Sequence, residues 1–278
     1  MAKEPTFDPQ AFKEFEHRGW GEVSGNYHDS FGQFTRQAAP YLLDAVGAGH
    51  GTRLLEVACG TGAVAAEAAG RGAAAVGMDF VASMVEEARR LHSGVEFREG
   101  DAEQLPFAEA TFDAVVCNFG MRHFPHPELA IAEAFRVLGP GGRFAFTDWF
   151  PAEENRASYH RIIREAVQAH SDPSVPLPPI GPPHDFSNAE NCRRFLLAPG
   201  FAHPESNEIP ILGFWKSAEM VPETIYNGMV RTRVPLEAQS KAVQGKINLA
   251  ISEAAGRFEK NGRIEIPMPA LLSRARKP

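Results

Sequence analysis

The chain has 278 residues, 44% of them hydrophobic, with a formal net charge of −7 at pH 7. That hydrophobic share is ample for the core of an α/β domain carrying an insertion, and an acidic balance without any basic block argues against nucleic acid as the main substrate. Cys59, Cys117 and Cys192 are far apart with no Cys-x-x-Cys pair, so buried free thiols in a reducing compartment are expected.

Met1-Ala2-Lys3-Glu4-Pro5 lacks the apolar centre of a signal peptide, and no stretch reaches the roughly 20 apolar residues of a membrane span. A cytoplasmic location is the expectation. Residues 1 to 50 form an aromatic-rich leader with Phe7, Phe12, Phe15, Trp20, Tyr27, Phe31, Phe34 and Tyr41, part of it helical, in which Leu42, Leu43 and Val46 pack on a sheet. Leu54, Leu55 and Val57 then read as a buried parallel strand, Gly60 and Gly62 as a tight turn, and the alanine-rich run from Ala63 to Ala69 as the helix behind it. Both glycines permit backbone angles that let a ligand lie against the main chain. Glu56 falls at the carboxyl end of the strand, where open α/β sheets bind ligands.

A second strand, Ala74 to Asp79, ends in an acid about 20 residues beyond the turn, the spacing at which a carboxylate meets ribose hydroxyls. A third runs from Val95 to Glu99 and is followed by Asp101 and Ala102. A fourth spans Phe112 to Asn118. A helix from about Glu128 to Leu138, the turn Gly139-Pro140-Gly141-Gly142 and a fifth strand, Arg143 to Thr147, complete the series. Strands alternating with helices predict a doubly wound parallel sheet over residues 51–150.

The motifs Glu56-Val-Ala-Cys-Gly-Thr-Gly62, Gly77-Met-Asp79, Gly100-Asp101-Ala102, Phe112-Asp-Ala-Val-Val116 and Leu138-Gly-Pro-Gly-Gly142, in this order, resemble class I S-adenosylmethionine-dependent methyltransferases. The resemblance implies an α/β, doubly wound, mostly parallel seven-stranded sheet with helical lid insertions, and S-adenosyl-L-methionine as cofactor. A nicotinamide-linked oxidoreductase is the competing enzyme class; its Gly-x-Gly-x-x-Gly turn would have a third glycine where Ala65 stands. A non-catalytic cofactor-binding protein is a third reading.

Beyond the core, Pro151 to Ala169 contains a helix with Tyr159, Ile162, Ile163 and Val167 on one face. Asp172 to Pro183 is a proline-rich loop, Asn188 to Leu197 a short helix, and Ser206 to Ile211 a sixth strand within a 151–216 segment. Residues 217–260 are helical, interrupted near Pro235, and Arg263 to Arg276 reads as the last strand of the 261–278 segment. In the resembling family helical insertions before the last strand cover the substrate, so 217–260 is read as a lid, with a homodimer contact as the competing interpretation.

The resemblance implies these site roles. Asp79 accepts the ribose hydroxyls with its two oxygens, and Phe80 stacks on adenine. Asp101 accepts from the adenine amino group while the Ala102 N–H donates beside it. Glu56, Ala58, Gly60 and Gly62 surround the methionyl end, which Tyr27 lines. Met84 and Asn118 complete the set. Each acid has a competing role as a helix cap. After strand four there is no Asn/Asp-Pro-Pro-Tyr, the mark of enzymes that methylate amino groups of nucleobases and glutamine. Phe119-Gly120-Met121-Arg122-His123 is instead similar to the Phe-Gly-x-Arg-Asn segment of ubiquinone and menaquinone C-methyltransferases, with His123 in place of Asn. His123 is the candidate base for an O or C nucleophile and Arg122 the candidate stabiliser of the resulting anion. N-methylation of a small amine is the alternative within the class. The acceptor is a small, aromatic or apolar molecule. The histidines lack metal-ligand spacing, and no metal is expected.

Overall fold

Leu54, Leu55, Val115 and Val116 are fully buried, as strands covered on both faces must be. The computed structural model describes residues 7–150, 158–176, 178–179, 181–182 and 184–278. The signal-peptide reading of Met1 to Pro5 lies outside the described residues, as do the start of the expected 151–169 segment and three positions of the proline-rich loop, Leu177, Ile180 and Pro183.

The leader is helical: α1 (Pro9–Tyr27), the single turn α2 (Gly32–Thr35) and α3 (Ala39–Val46). Asp8 caps α1 by accepting from the Gln10 and Ala11 N–H groups, and Pro9 occupies the first turn, where no amide partner is needed. The alternation follows as β1 (Arg53–Val57), α4 (Ala63–Gly70), β2 (Ala74–Asp79), α5 (Ala82–Leu91), β3 (Glu96–Glu99), β4 (Phe112–Asn118), α6 (Pro127–Val137) and β5 (Leu138–Trp149). The strand β5 is longer than expected. Its register against β4 jumps from Leu138 to Arg143, so the Gly-Pro-Gly-Gly segment is an irregularity inside the strand rather than a turn before it.

The C-terminal part holds α7 (Tyr159–His170), α8 (Ala189–Leu197), β6 (Ala202–Ile209), β7 (Leu212–Trp215), α9 (Glu223–Tyr226), α10 (Val230–Glu237), α11 (Lys241–Gly256), β8 (Glu259–Lys260), β9 (Arg263–Pro267) and β10 (Ala270–Arg276). The main sheet has seven strands in the order β3-β2-β1-β4-β5-β10-β6. Its first five strands pair in parallel, and β10 is antiparallel to both neighbours. The order reverses between β1 and β4, which opens a crevice at their carboxyl ends.

The sequence reading of one last strand from Arg263 to Arg276 is corrected. Pro267 and Pro269 cannot donate to a ladder, and the chain there leaves a three-stranded antiparallel sheet (β7-β9-β8) for the main one. Asn261 and Gly262, both at positive φ, make the two-residue hairpin between β8 and β9. The helical block also breaks elsewhere than expected. Pro235 sits within α10, and the breaks fall on either side of that helix, at 227–229 and at 238–240, where Ser240 caps α11 by accepting from the Val243 N–H.

Candidate active site

The floor of the crevice is built by backbone. After β1 the chain turns through Ala58, Gly60 and Gly62, all at positive φ, into α4. The two glycines are needed for different reasons. A Cβ on Gly62 would stand 2.5 Å from the Phe97 ring, so this residue lets α4 pack closely and does not face the crevice. A Cβ on Gly60 would meet only Tyr27 Cε1, at 3.9 Å, so Gly60 presents open backbone to the cavity. Buried Glu56 accepts the Ala65 N–H at 2.7 Å, satisfying an otherwise orphaned donor in the first turn of α4. Burial raises its carboxyl to about 8, against the lowering effect of that hydrogen bond.

Asp79 is also buried and tied to the main chain: Oδ2 accepts the Gly60 N–H at 2.8 Å and Oδ1 the Val81 N–H at 3.0 Å. Burial pushes its carboxyl up while these backbone donors pull it down. Asp79 is not a helix cap, the competing role for this acid: Val81 is the N-cap of α5 and no side chain caps it, so the Asp79 carboxylate ties the turn after β1 to the chain leaving β2. Asn118 donates to the Thr35 carbonyl at 3.0 Å and accepts from Thr147 Oγ1 at 2.8 Å. Thr147 Oγ1 in turn accepts the Phe119 N–H, at 3.0 Å, fixing the chain where it leaves β4. Phe119 adopts a positive φ and stacks on Trp149 at 3.9 Å.

The roof is the face of α1. Phe12, Phe15, Glu16, Gly19, Val23 and Ser24 are its buried residues, so a carboxylate sits in a mainly apolar stripe. Glu16 Oε2 accepts from Trp20 Nε1 at 3.0 Å and lies 2.9 Å from His123 Nδ1. With Glu16 as the acceptor the shared proton is assigned to Nδ1, and in the neutral imidazole Nε2 then keeps a free lone pair. The Trp20 ring meets the imidazole edge-on at 5.1 Å. Further along the helix, Lys13 pairs with Asp101 Oδ2, whose Oδ1 accepts the Glu103 N–H at 2.9 Å. Tyr27 bonds Thr35 Oγ1 at 3.1 Å, and burial pushes its hydroxyl up to about 12. Helix α10 locks this roof. Arg233 pairs with Glu22, and Val230 packs so closely on Gly19 that a Cβ there would stand 2.1 Å from it.

Three cavities meet beneath α1. One of ≈ 20 Å³ is lined by Lys13, Ala58, Phe80, Asp101, Ala102 and His123. The next, ≈ 40 Å³, is lined by Tyr27, Thr35, Glu56, Ala58, Gly60 and Asn118. The third, ≈ 210 Å³, is walled by Trp20, Phe31, Thr35, Phe119, Arg122, His123, Trp149 and Arg231. Ala58 joins the first two, Thr35 the last two, and His123 the first and third. The structure thus brings together Tyr27, Glu56, Ala58, Gly60, Phe80, Asp101, Ala102, Asn118, Arg122 and His123. Met84 is elsewhere: it is buried with Phe15, Val23, Val81 and Val230 under α1. Arg122 pairs with buried Asp148 at the end of β5, whose carboxyl is raised by burial and drawn down by that guanidinium. Asp148 and Glu16 were missed in the sequence. For Glu16 a signal existed, since Phe12-Phe15-Glu16-Gly19 spacing places it on the apolar face. Among the described residues no cluster of three or more His, Cys, Asp or Glu side chains is placed to hold a metal, and no helix is long and apolar enough to cross a membrane. All three cysteines are buried and unpaired; Cys59 lies in the turn after β1 rather than on the sheet.

Residues 55–146 match the family model described as a methyltransferase domain. A demethylmenaquinone methyltransferase of Renibacterium salmoninarum is 41% identical over 120 residues, 43% of this chain and 50% of that one. A ubiquinone/menaquinone biosynthesis C-methyltransferase of Rhizobium etli is 43% identical over 170 residues, 55% and 65% of the two chains. The chain spans about half the length of the curated relatives it matches. Among solved structures, phosphoethanolamine N-methyltransferase 2 of Haemonchus contortus, in complex with S-adenosylhomocysteine, shares the fold at a TM-score of 0.53 and 18% identity, covering 87% of this chain and 52% of that one. Motifs, fold and family match agree: residues 55–146 are a methyltransferase domain of the class I S-adenosylmethionine-dependent family.

Proposed function

We propose that the chain transfers the methyl group of S-adenosylmethionine to an oxygen or carbon nucleophile of a small aromatic acceptor. The observation that carries this reading is the Glu16–His123 hydrogen bond at the wall shared by the cofactor crevice and the 210 Å³ cavity. A neutral amine needs no base, whereas a phenol, enol or ring carbon does. A carboxylate-held imidazole with its other nitrogen free is suited to the latter. The named activity of the quinone C-methyltransferase relatives agrees with a hydroxylated aromatic acceptor.

The residues fit the cofactor. Two small cavities on either side of Ala58 separate an acid and an aromatic ring (Asp101, Phe80) from open glycine backbone and a buried carboxyl (Gly60, Glu56), the kinds of partner that suit a nucleoside joined to an amino acid. S-adenosylmethionine when bound supplies a methyl group on a positively charged sulfur. The chain's part is to orient, to exclude water and to move one proton. Asp101 and Asp79 hold the nucleoside end, and Gly60 and Asn118 flank the methionyl end. Phe119 and Trp149 form an apolar wall beside the acceptor. His123 Nε2 takes the acceptor's proton, and Glu16 stabilises the imidazolium that results. Arg122, its charge balanced by Asp148, retains N–H donors for the forming anion.

The test uses Glu16→Gln and His123→Asn in the full chain, with a panel of phenols, quinols and hydroxylated aromatic acids. Both are expected to lower kcat about 100-fold, in the range of lost general-base catalysis, while the Kd for S-adenosylmethionine changes less than about threefold. Unaltered turnover in both variants would refute the role of the pair.

A further inference from the structure

Arg231, at the start of α10, is the charged arm of the acceptor cavity that has no counter-ion among the described residues. It lines both the 210 Å³ cavity and an adjoining outer cavity of ≈ 530 Å³. Its guanidinium carbon lies 5.2 Å from the Phe12 ring centroid, and Gly181 makes room on another side, where a Cβ would stand 2.3 Å from Nη1. Among the described residues no carboxylate forms an ion pair with it. The other charged or titratable groups on the inner cavity are settled: Arg122 by Asp148, His123 by Glu16, and His160 because burial pushes it down to about 3 and keeps it neutral. Partial burial, the larger effect, and nearby Arg122 both oppose the charge on Arg231, and together they outweigh Glu16, which favours it. Nor is α10 loosely held, since Arg233–Glu22 and Val230 on Gly19 fix it to α1. A partly desolvated guanidinium without an anion is costly, and its planar fork matches a carboxylate.

We infer that Arg231 binds a carboxylate of the acceptor, which is therefore a hydroxylated aromatic acid rather than a neutral phenol or quinol. The inference rests on the methyl-transfer reading above. The inner cavity is smaller than the about 300–1,000 Å³ usual for drug-sized ligands, which suits a single ring seated along the Phe119–Trp149 wall. With the carboxylate on Arg231 and the hydroxyl at His123, the O–H proton passes to Nε2. The oxygen's electron pair forms the new bond to carbon as the carbon–sulfur bond breaks, its pair remaining on a now neutral sulfur. The proton then leaves His123 for water. A neutral quinol in the same place would leave Arg231 unpaired, a penalty that selects against it.

Calorimetric titration of the full chain, saturated with S-adenosylhomocysteine, tests this with hydroxybenzoates and hydroxyphenylacetates alongside their methyl esters. At least one acid is expected to bind tenfold or more tightly than its ester. Arg231→Gln should erase that preference, and Arg231→Lys should keep part of it, with the Kd for S-adenosylhomocysteine unchanged in both. Esters binding as well as acids, no acid binding at all, or a preference that survives Arg231→Gln would each overturn the inference. The acid-to-ester ratio of the unaltered protein stands even if a variant fails to fold. Turnover separates the two readings: acids that bind but are not methylated leave the carboxylate site standing and remove the methyl-transfer reading. Equal methylation of acids and esters does the reverse.

Discussion

The floor and the roof of the crevice are held together in different ways. In the floor, side chains serve the main chain nearby: Glu56 accepts from Ala65, Asp79 from Gly60 and Val81, and Thr147 from Phe119. In the roof, side chains far apart in sequence meet each other: Lys13 with Asp101, Glu16 with His123, Glu22 with Arg233. Floor residues therefore shape the turns, and losing one costs folding and cofactor together. Roof residues join separate elements, and losing one alters chemistry or access with little effect on the fold.

Asp79→Ala should be the most damaging change. It strips acceptors from the Gly60 and Val81 N–H groups in a buried turn, which costs about 2–6 kcal/mol of stability at about 1–3 kcal/mol for each unsatisfied group. Cofactor affinity should fall more than about 100-fold, equivalent to roughly 2.8 kcal/mol. Denaturant titration and calorimetry check the two parts, and a variant that remains both stable and binding breaks the distinction between floor and roof.

Glu56→Gln keeps the acceptor for Ala65 but removes the ionisation. Because the folded carboxyl is raised to about 8, its stabilising contribution is complete below the ordinary glutamate range and is lost as pH rises towards 8. Denaturation measured between pH 5 and 8 should show the unaltered protein losing stability by at most about 1.4 kcal/mol per pH unit from this group. The variant should lose distinctly less. Asp79 and Asp148, also raised by burial, act with the same sign wherever they titrate, and that part is common to the variant. An unchanged pH dependence would show that Glu56 is ionised in the fold.

Lys13→Ala is the mildest. The Lys13–Asp101 pair is part-exposed on both sides, so stability should change by less than about 1 kcal/mol. Release of Asp101 should tighten S-adenosylmethionine binding by roughly 2–5-fold, a sub-kcal/mol effect. Weaker binding would show that Lys13 holds the cofactor rather than its acid.

The contrast also explains what was legible beforehand. Local patterns located the floor: Ala74–Asp79 and Phe112–Asn118 run as strands between the residues expected, and the glycine turn falls between β1 and α4. The roof depends on distant partners that no window of sequence contains. His123 showed itself by its motif, but Glu16, more than a hundred residues away, was passed over among the leader's aromatics. Met84 illustrates the opposite error. It follows the acid-ended strand, yet α5 turns it under α1, into a cluster with Phe15 and Val230. The division of the last segment into β9 and β10 was encoded by Pro267, Pro269 and the Asn261-Gly262 turn. The resemblance to a seven-stranded family had no place for a second sheet.

Calorimetric titration of the full chain with S-adenosylmethionine, S-adenosylhomocysteine and NADH, each separately, tests the central claim most directly. Micromolar binding of the first two with no heat from NADH is the predicted result. Binding of NADH alone would contradict the assignment of the crevice and everything built upon it.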